Sequence, residues 1–116
     1  MSSPIFSFAH IGINCQTELE ARKTADILQN AFCGDVRNGS SSVFVGSEIE
    51  ITKSPFPGIH GHLAFATPDI DEAIRTLREK GIPIVEGSQK YKDGKLVAVY
   101  LDIEIAGFAV HLLATS

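Results

Sequence analysis

The sequence predicts an α+β fold made of two βαβββ modules, and three observations predict it. Two short strand-like runs of the same shape, "FAHIGIN" (residues 8–14) and "HGHLAFA" (60–66), each carry a histidine in third place. Each run is followed by a stretch with apolar residues at helical spacing, and that stretch by three short extended segments. "SPFPG" (54–58) divides the two halves as a Pro- and Gly-bearing linker. Module one is expected over 5–53 and module two over 59–114, within a single domain of 116 residues.

In module one the first strand leads into a helix predicted over 17–33. Thr17 with Glu20 three positions on fits a capping box, in which each side chain satisfies a free backbone N–H of the first turn. Ala21, Thr24, Ala25, Leu28, Ala31 and Phe32 form the apolar stripe, and Gly34 suits the residue after the helix end. Extended segments follow at 35–38, 41–46 and 48–53. In module two Asp69 and Glu72 repeat the capping spacing. Ile70, Ala73, Ile74 and Leu77 line a helix predicted over 69–80, which Gly81 and Pro83 end. The remaining strands are expected at 82–87, 95–102 and 108–113, with Asp93-Gly94 as a hairpin turn.

Composition narrows the function classes. The chain is 44% hydrophobic and 21% charged, as ordinary globular proteins are. A net charge of −4 argues against a broad phosphate-binding surface, so no nucleic-acid partner is expected. No apolar run approaches the roughly 20 residues of a membrane helix. The start, "MSSPIF", lacks a basic region followed by an apolar core, so no membrane partner and a cytoplasmic location are expected. Cys15 and Cys33 form no CxxC pair and read as small buried or half-buried side chains in a reducing compartment.

Strand side chains alternate between faces, so parity places the polar residues. If the Ile-, Val-, Leu- and Phe-rich faces cover the helices, His10, Glu50, His62 and His111 share the opposite face. Asn14, Phe44 and Tyr100 fall there too, among the small residues Gly12, Ala64, Ala66, Ala98 and Ala109. Three imidazoles and a carboxylate at the base of a sparsely filled concavity have the general form of a small-molecule site. Taken singly, each has an ordinary explanation, such as a solvated glutamate in "EIE" or a half-buried strand tyrosine. The joint placement is what counts, since each half contributes one such residue from its first strand and one from its last. His60 has the parity of His62 but lies before the strand and is expected to be exposed.

The layout resembles the vicinal oxygen chelate superfamily, which includes glyoxalase I, fosfomycin-resistance enzymes, bleomycin-binding proteins and extradiol dioxygenases. "FAHIGIN", "EIEIT", "GHLAFATPDIDEAIRTLREKG" and "GFAVHLL" carry the resemblance, from about Ile5 to Leu113. It implies a mixed eight-stranded cup with the helices outside. It also implies His10, Glu50, His62 and His111 as ligands of a divalent metal, with Glu50 as the candidate catalytic base. Such a donor set suits Zn, Ni, Co, Mn or Fe. His111 stands where glyoxalase I has a glutamate, and four protein ligands differ from the open facial triad of a dioxygenase. "GSEIEITKSPFPG" and "KDGKLVAVYLDIEIAGFAVHLL" look most like the chelate-type domain fused behind a keto-deoxy-phosphogluconate/hydroxy-oxoglutarate aldolase in some Gram-positive bacteria. The aldolase barrel with its Schiff-base lysine has no counterpart in this chain.

Three functions remain open at this level. One is a metal-dependent lyase or isomerase acting on a small keto-acid or sugar-derived molecule, with Asn14, Phe44 and Tyr100 lining the substrate side. Another is a non-catalytic ligand-binding or regulatory module associated with an aldolase. The third is a metal-free sequestering protein. Exposed strand edges invite pairing, so a homodimer is expected.

Overall fold

The computed structural model describes residues 5–32 and 34–115. In chain order these form β1 (Ser7–Asn14), α1 (Glu18–Phe32), β2 (Val36–Asn38), β3 (Ser42–Val45) and β4 (Ile49–Thr52). The second half follows as β5 (Gly61–Thr67), α2 (Ile70–Glu79), β6 (Lys90–Lys92), β7 (Lys95–Ile105) and β8 (Phe108–Ala114). The strands make one mixed eight-stranded sheet in the order β2-β3-β4-β1-β5-β8-β7-β6. Each half has the same internal order, its first strand running parallel to its last. The halves meet along one antiparallel seam between β1 and β5, where Gly12 opposes His62 and His10 opposes Ala64.

Both predicted helices form, with ends within one residue of expectation. The Thr17 hydroxyl accepts from the Glu20 N–H at 3.2 Å, and the Glu20 carboxylate accepts from the Gln16 N–H at 3.4 Å. The capping box thus closes one residue earlier than its usual form, in which Thr17's own N–H is the donor. The Asp69 carboxylate accepts from the Glu72 N–H at 3.1 Å, and Gly81 turns the chain out of α2 at φ 86°. Each helix covers its own half of the sheet. Ala21 and Ala25 of α1 pack with Val43, Val45 and Ile51, and Ile70, Ala73 and Ile74 of α2 with Val99, Leu101, Val110 and Leu112. Cys15 is buried in the first cluster, whereas Cys33 lies outside the described residues.

One expected strand is absent. Residues 82–87 make only a single bridge, Ile84 to Leu101, because Pro83 has no N–H to donate and Gly87 (φ 91°) turns the chain away. The sheet edge is completed instead by β6, folded back on β7 through the predicted turn. Asp93 (φ 53°) and Gly94 (φ 78°) both take the left-handed conformation that such a two-residue turn needs. β7 also runs on to Ile105, past a register shift between Leu101 and Glu104. No helix among the described residues is long and apolar enough to cross a membrane.

Candidate metal centre

Strand register builds the site. On the face opposite the helices one row runs Arg37, Phe44, Glu50, Gly12, His62 and Ala109 across β2, β3, β4, β1, β5 and β8. The next row runs His10, Ala64, His111 and Tyr100 across β1, β5, β8 and β7. The four expected donors thus occupy neighbouring positions on the four central strands. The imidazoles of His10, His62 and His111 each offer a nitrogen within 4.8 Å of the others. Glu50 Oε1 lies 3.3 Å from His10 Nε2 and 3.6 Å from His62 Nε2, and those two nitrogens are 3.2 Å apart.

The spacing of the Glu50, His10 and His62 atoms fits an ion. Donors bound about 2.1 Å from a common metal lie roughly 3.0–3.5 Å from one another in octahedral or tetrahedral geometry. His62 meets both Glu50 and His10 through Nε2, while its buried Nδ1 lies against Gly12; among the described residues neither that atom nor the buried Nδ1 of His111 has a hydrogen-bond partner.

Charge states suit the same role. Hydrogen bonds from His10, His62 and Ser42 hold the Glu50 carboxyl far below the usual carboxylate range, despite its partial burial. Burial, helped by the charges of His62, His10 and Lys90, pushes His111 down to about 4, so it is neutral near pH 7 and has a lone pair to give. Burial, reinforced by the charge of Glu50, raises Tyr100, which keeps its phenolic proton.

Three neighbours shape the donor set, of which sequence reading passed over Ser42. Ser42, 1% exposed, donates to Glu50 Oε2 at 2.7 Å, which leaves Oε1 to face the imidazoles. It lies within the expected strand 41–46 at the parity of Phe44. Gly12 lies beneath the His62 ring, and a Cβ at that position would collide with it. Tyr100 stacks on His111 with ring centroids 4.3 Å apart and planes 12° apart, fixing that imidazole's plane.

The other expected residues divide. Phe44 sits beside Glu50 under the Arg37 guanidinium, whose carbon is 4.3 Å from the ring centroid. Asn14, expected on the substrate side, has its amide committed elsewhere. It donates to the carbonyls of Phe56 and Gly58, each at 2.9 Å, and accepts from the Thr52 hydroxyl at 3.3 Å, tying the linker to the seam. His60 is exposed and leans on Phe108. A cleft of about 430 Å³ opens beside Tyr100 and Ala109, walled in part by Pro57, Ser88, Asp102 and Glu104.

Comparison with known proteins agrees with the fold. The family model for the Glyoxalase/Bleomycin resistance protein/Dioxygenase superfamily matches residues 6–107. No curated protein sequence matches the chain. Among solved structures, a variant of Streptomyces coelicolor methylmalonyl-CoA epimerase in complex with 2-nitronate-propionyl-CoA superposes with a TM-score of 0.62 at 15% identity, covering 94% of this chain and 96% of that one. A hypothetical protein from Bacillus halodurans gives 0.66 at 15% identity, covering 96% and 95%. Methylmalonyl-CoA epimerase from Mycobacterium tuberculosis gives 0.58 at 13% identity, covering 100% and 93%.

Proposed function

The chain belongs to the glyoxalase/bleomycin resistance protein/dioxygenase superfamily, and from that premise we propose that it binds a divalent metal and acts on a small oxygenated molecule as a lyase or isomerase. The observation that carries this reading is the cluster of the His10, His62 and His111 imidazoles on the face away from the helices, with the Glu50 carboxylate beside His10 and His62. The fold likeness to methylmalonyl-CoA epimerases supports the isomerase arm.

Those four side chains would hold the ion. Once bound, it would polarise neighbouring substrate oxygens and stabilise the negative charge that builds as an adjacent C–H bond breaks. Glu50 is the only carboxylate among the four donors and is kept in orientation by Ser42, so it would serve as the proton acceptor on this face once substrate binding relieves the imidazole hydrogen bonds that hold its carboxyl low. Tyr100 keeps an O–H to donate to a substrate oxygen. Phe44 walls the side nearest Glu50, and Asn14 shapes the floor by holding the linker.

Elemental analysis of protein grown with Zn, Ni, Co, Mn and Fe tests the reading. Wild-type protein should carry about one ion per chain, and His62→Ala and Glu50→Gln less than a tenth of that, with cooperative melts retained. Turnover is then sought as solvent deuterium incorporated into 2-oxo acids with and without chelator. Wild-type metal content in His62→Ala removes the proposal, whereas metal without turnover favours the regulatory module associated with an aldolase. We also propose a homodimer, supported by the partly exposed apolar side chains Phe6, Phe8, Ile103 and Ile105. Light scattering that gives a monomer up to millimolar concentration removes that assignment.

A further inference from the structure

The cup face is electrostatically lopsided around the candidate centre. On the side of β7 the cleft beside Tyr100 and Ala109 is lined in part by the acidic residues Asp102 and Glu104. On the side of β3 the row from Glu50 passes to Phe44 and then to Arg37. Strands lie about 4.8 Å apart, so Arg37 is two strands, or about 10 Å, from Glu50 across the sheet. Arg37 is exposed, and its guanidinium lies over the Phe44 ring. Phe44 is itself backed by Gly39, where even a Cβ would press on the ring edge at 2.9 Å. Arg37 makes no ion pair among the described residues. A stacked guanidinium with free N–H groups is preorganised to take a carboxylate through two parallel hydrogen bonds.

We propose that Arg37 binds an anionic group at the far end of the substrate, which makes the substrate a small acid that chelates through oxygens at one end and carries a carboxylate at the other. This rests on the metal-centre reading for the chelating end but not for the anionic end. Asp102 and Glu104 repel such a group from the opposite cleft, so its orientation across the cup is set by charge. Lys90, on β6 at the other rim, is also cationic and its charge is felt at His111; like Arg37 it is exposed on an edge strand, and what sets Arg37 apart is the Phe44 ring that holds its guanidinium.

The test uses cobalt-loaded protein, followed by its visible absorption, and two hydroxamates of matched length: succinic monohydroxamate, with an anionic tail, and butyrohydroxamate, with a neutral one. Wild-type protein should prefer the anionic probe by about tenfold. Arg37→Gln should reduce the preference to within about twofold, and Lys90→Gln should retain it. No preference in wild-type protein, or a preference removed by Lys90→Gln but not by Arg37→Gln, overturns the assignment. A parallel titration of metal-free protein with succinate and with succinamide, read at the Phe44 and Arg37 amide signals, separates the two readings. Absence of the cobalt spectrum with shifts selective for succinate means that the metal reading has failed and Arg37 still binds the anion. A cobalt spectrum without charge preference means the reverse.

Discussion

Gly12→Ala is expected to lower metal content at least tenfold while leaving the sheet intact. The added methyl would land on the His62 imidazole, so the ring must swing out of the position from which it faces His10 and Glu50. The strand itself tolerates a methyl there. The seam relates the two halves by a near two-fold repeat in which Gly12 and Ala64 are equivalent, and Ala64 is fully buried in the same kind of pairing. Gly12 is also absent from the positive-φ positions, so alanine adds no backbone strain. The cost to stability, about 1–3 kcal/mol, comes from rehousing a buried ring. The check is metal analysis beside a thermal melt for Gly12→Ala, His62→Ala and the double variant. In the double variant the stability lost through Gly12→Ala should largely return, because no ring remains to be displaced, while metal stays absent. A Gly12→Ala protein with wild-type metal content would contradict the account.

Gly61→Ala is expected to have the largest effect on folding, more than about 4 kcal/mol. Gly61 opens β5 at φ 155°, and a Cβ there would run into the Gly12 carbonyl and crowd the Ile13 Cα at 3.2 Å. Backbone atoms of a central strand cannot move aside as a flexible side chain can. The clash therefore falls on the seam, which among the described residues is the only strand pairing that joins the two halves. Denaturant melts would show an unfolded or strongly destabilised protein. A midpoint close to wild type would mean that the seam can slide. The second effect on the seam is local, since Gly61 lies next to His62 and any slippage there also disperses the donors.

Much of this arrangement was legible in the sequence. The period of two along a strand has no slack, and the repeat let each half check the other, so the shared face of His10, Glu50, His62 and His111 followed from parity. What parity lacks is register. Ser42 reaches Glu50 only because β3 and β4 pair Phe44 with Glu50 and Ser42 with Thr52, an offset that residue types do not encode. The part played by Gly12 depends on how a ring on the neighbouring strand leans. The hydrogen bonds of Asn14 were not legible, because its partners are backbone carbonyls of the linker, which every residue has. Residues 82–87 alternate Ile82, Ile84 and Glu86 with other types as a strand would, but the tight turn at Asp93-Gly94 brings Lys90–Lys92 to the edge first.

The repeat also bears on descent. A half-chain offers two donors, one from its first strand and one from its last. Two identical half-chains joined through the same antiparallel edge would offer four, related by a two-fold axis through the seam. A single small gene product could thus have assembled such a site before its duplication and fusion. In the present chain His10 still mirrors His62, and Phe44 mirrors Tyr100 as the aromatic flanking each last strand. The symmetry is broken at the donor level in one place only, where Glu50 in one half answers to His111 in the other. That substitution gives the centre its one negative charge, and with it a direction: one side able to take a proton, the other neutral.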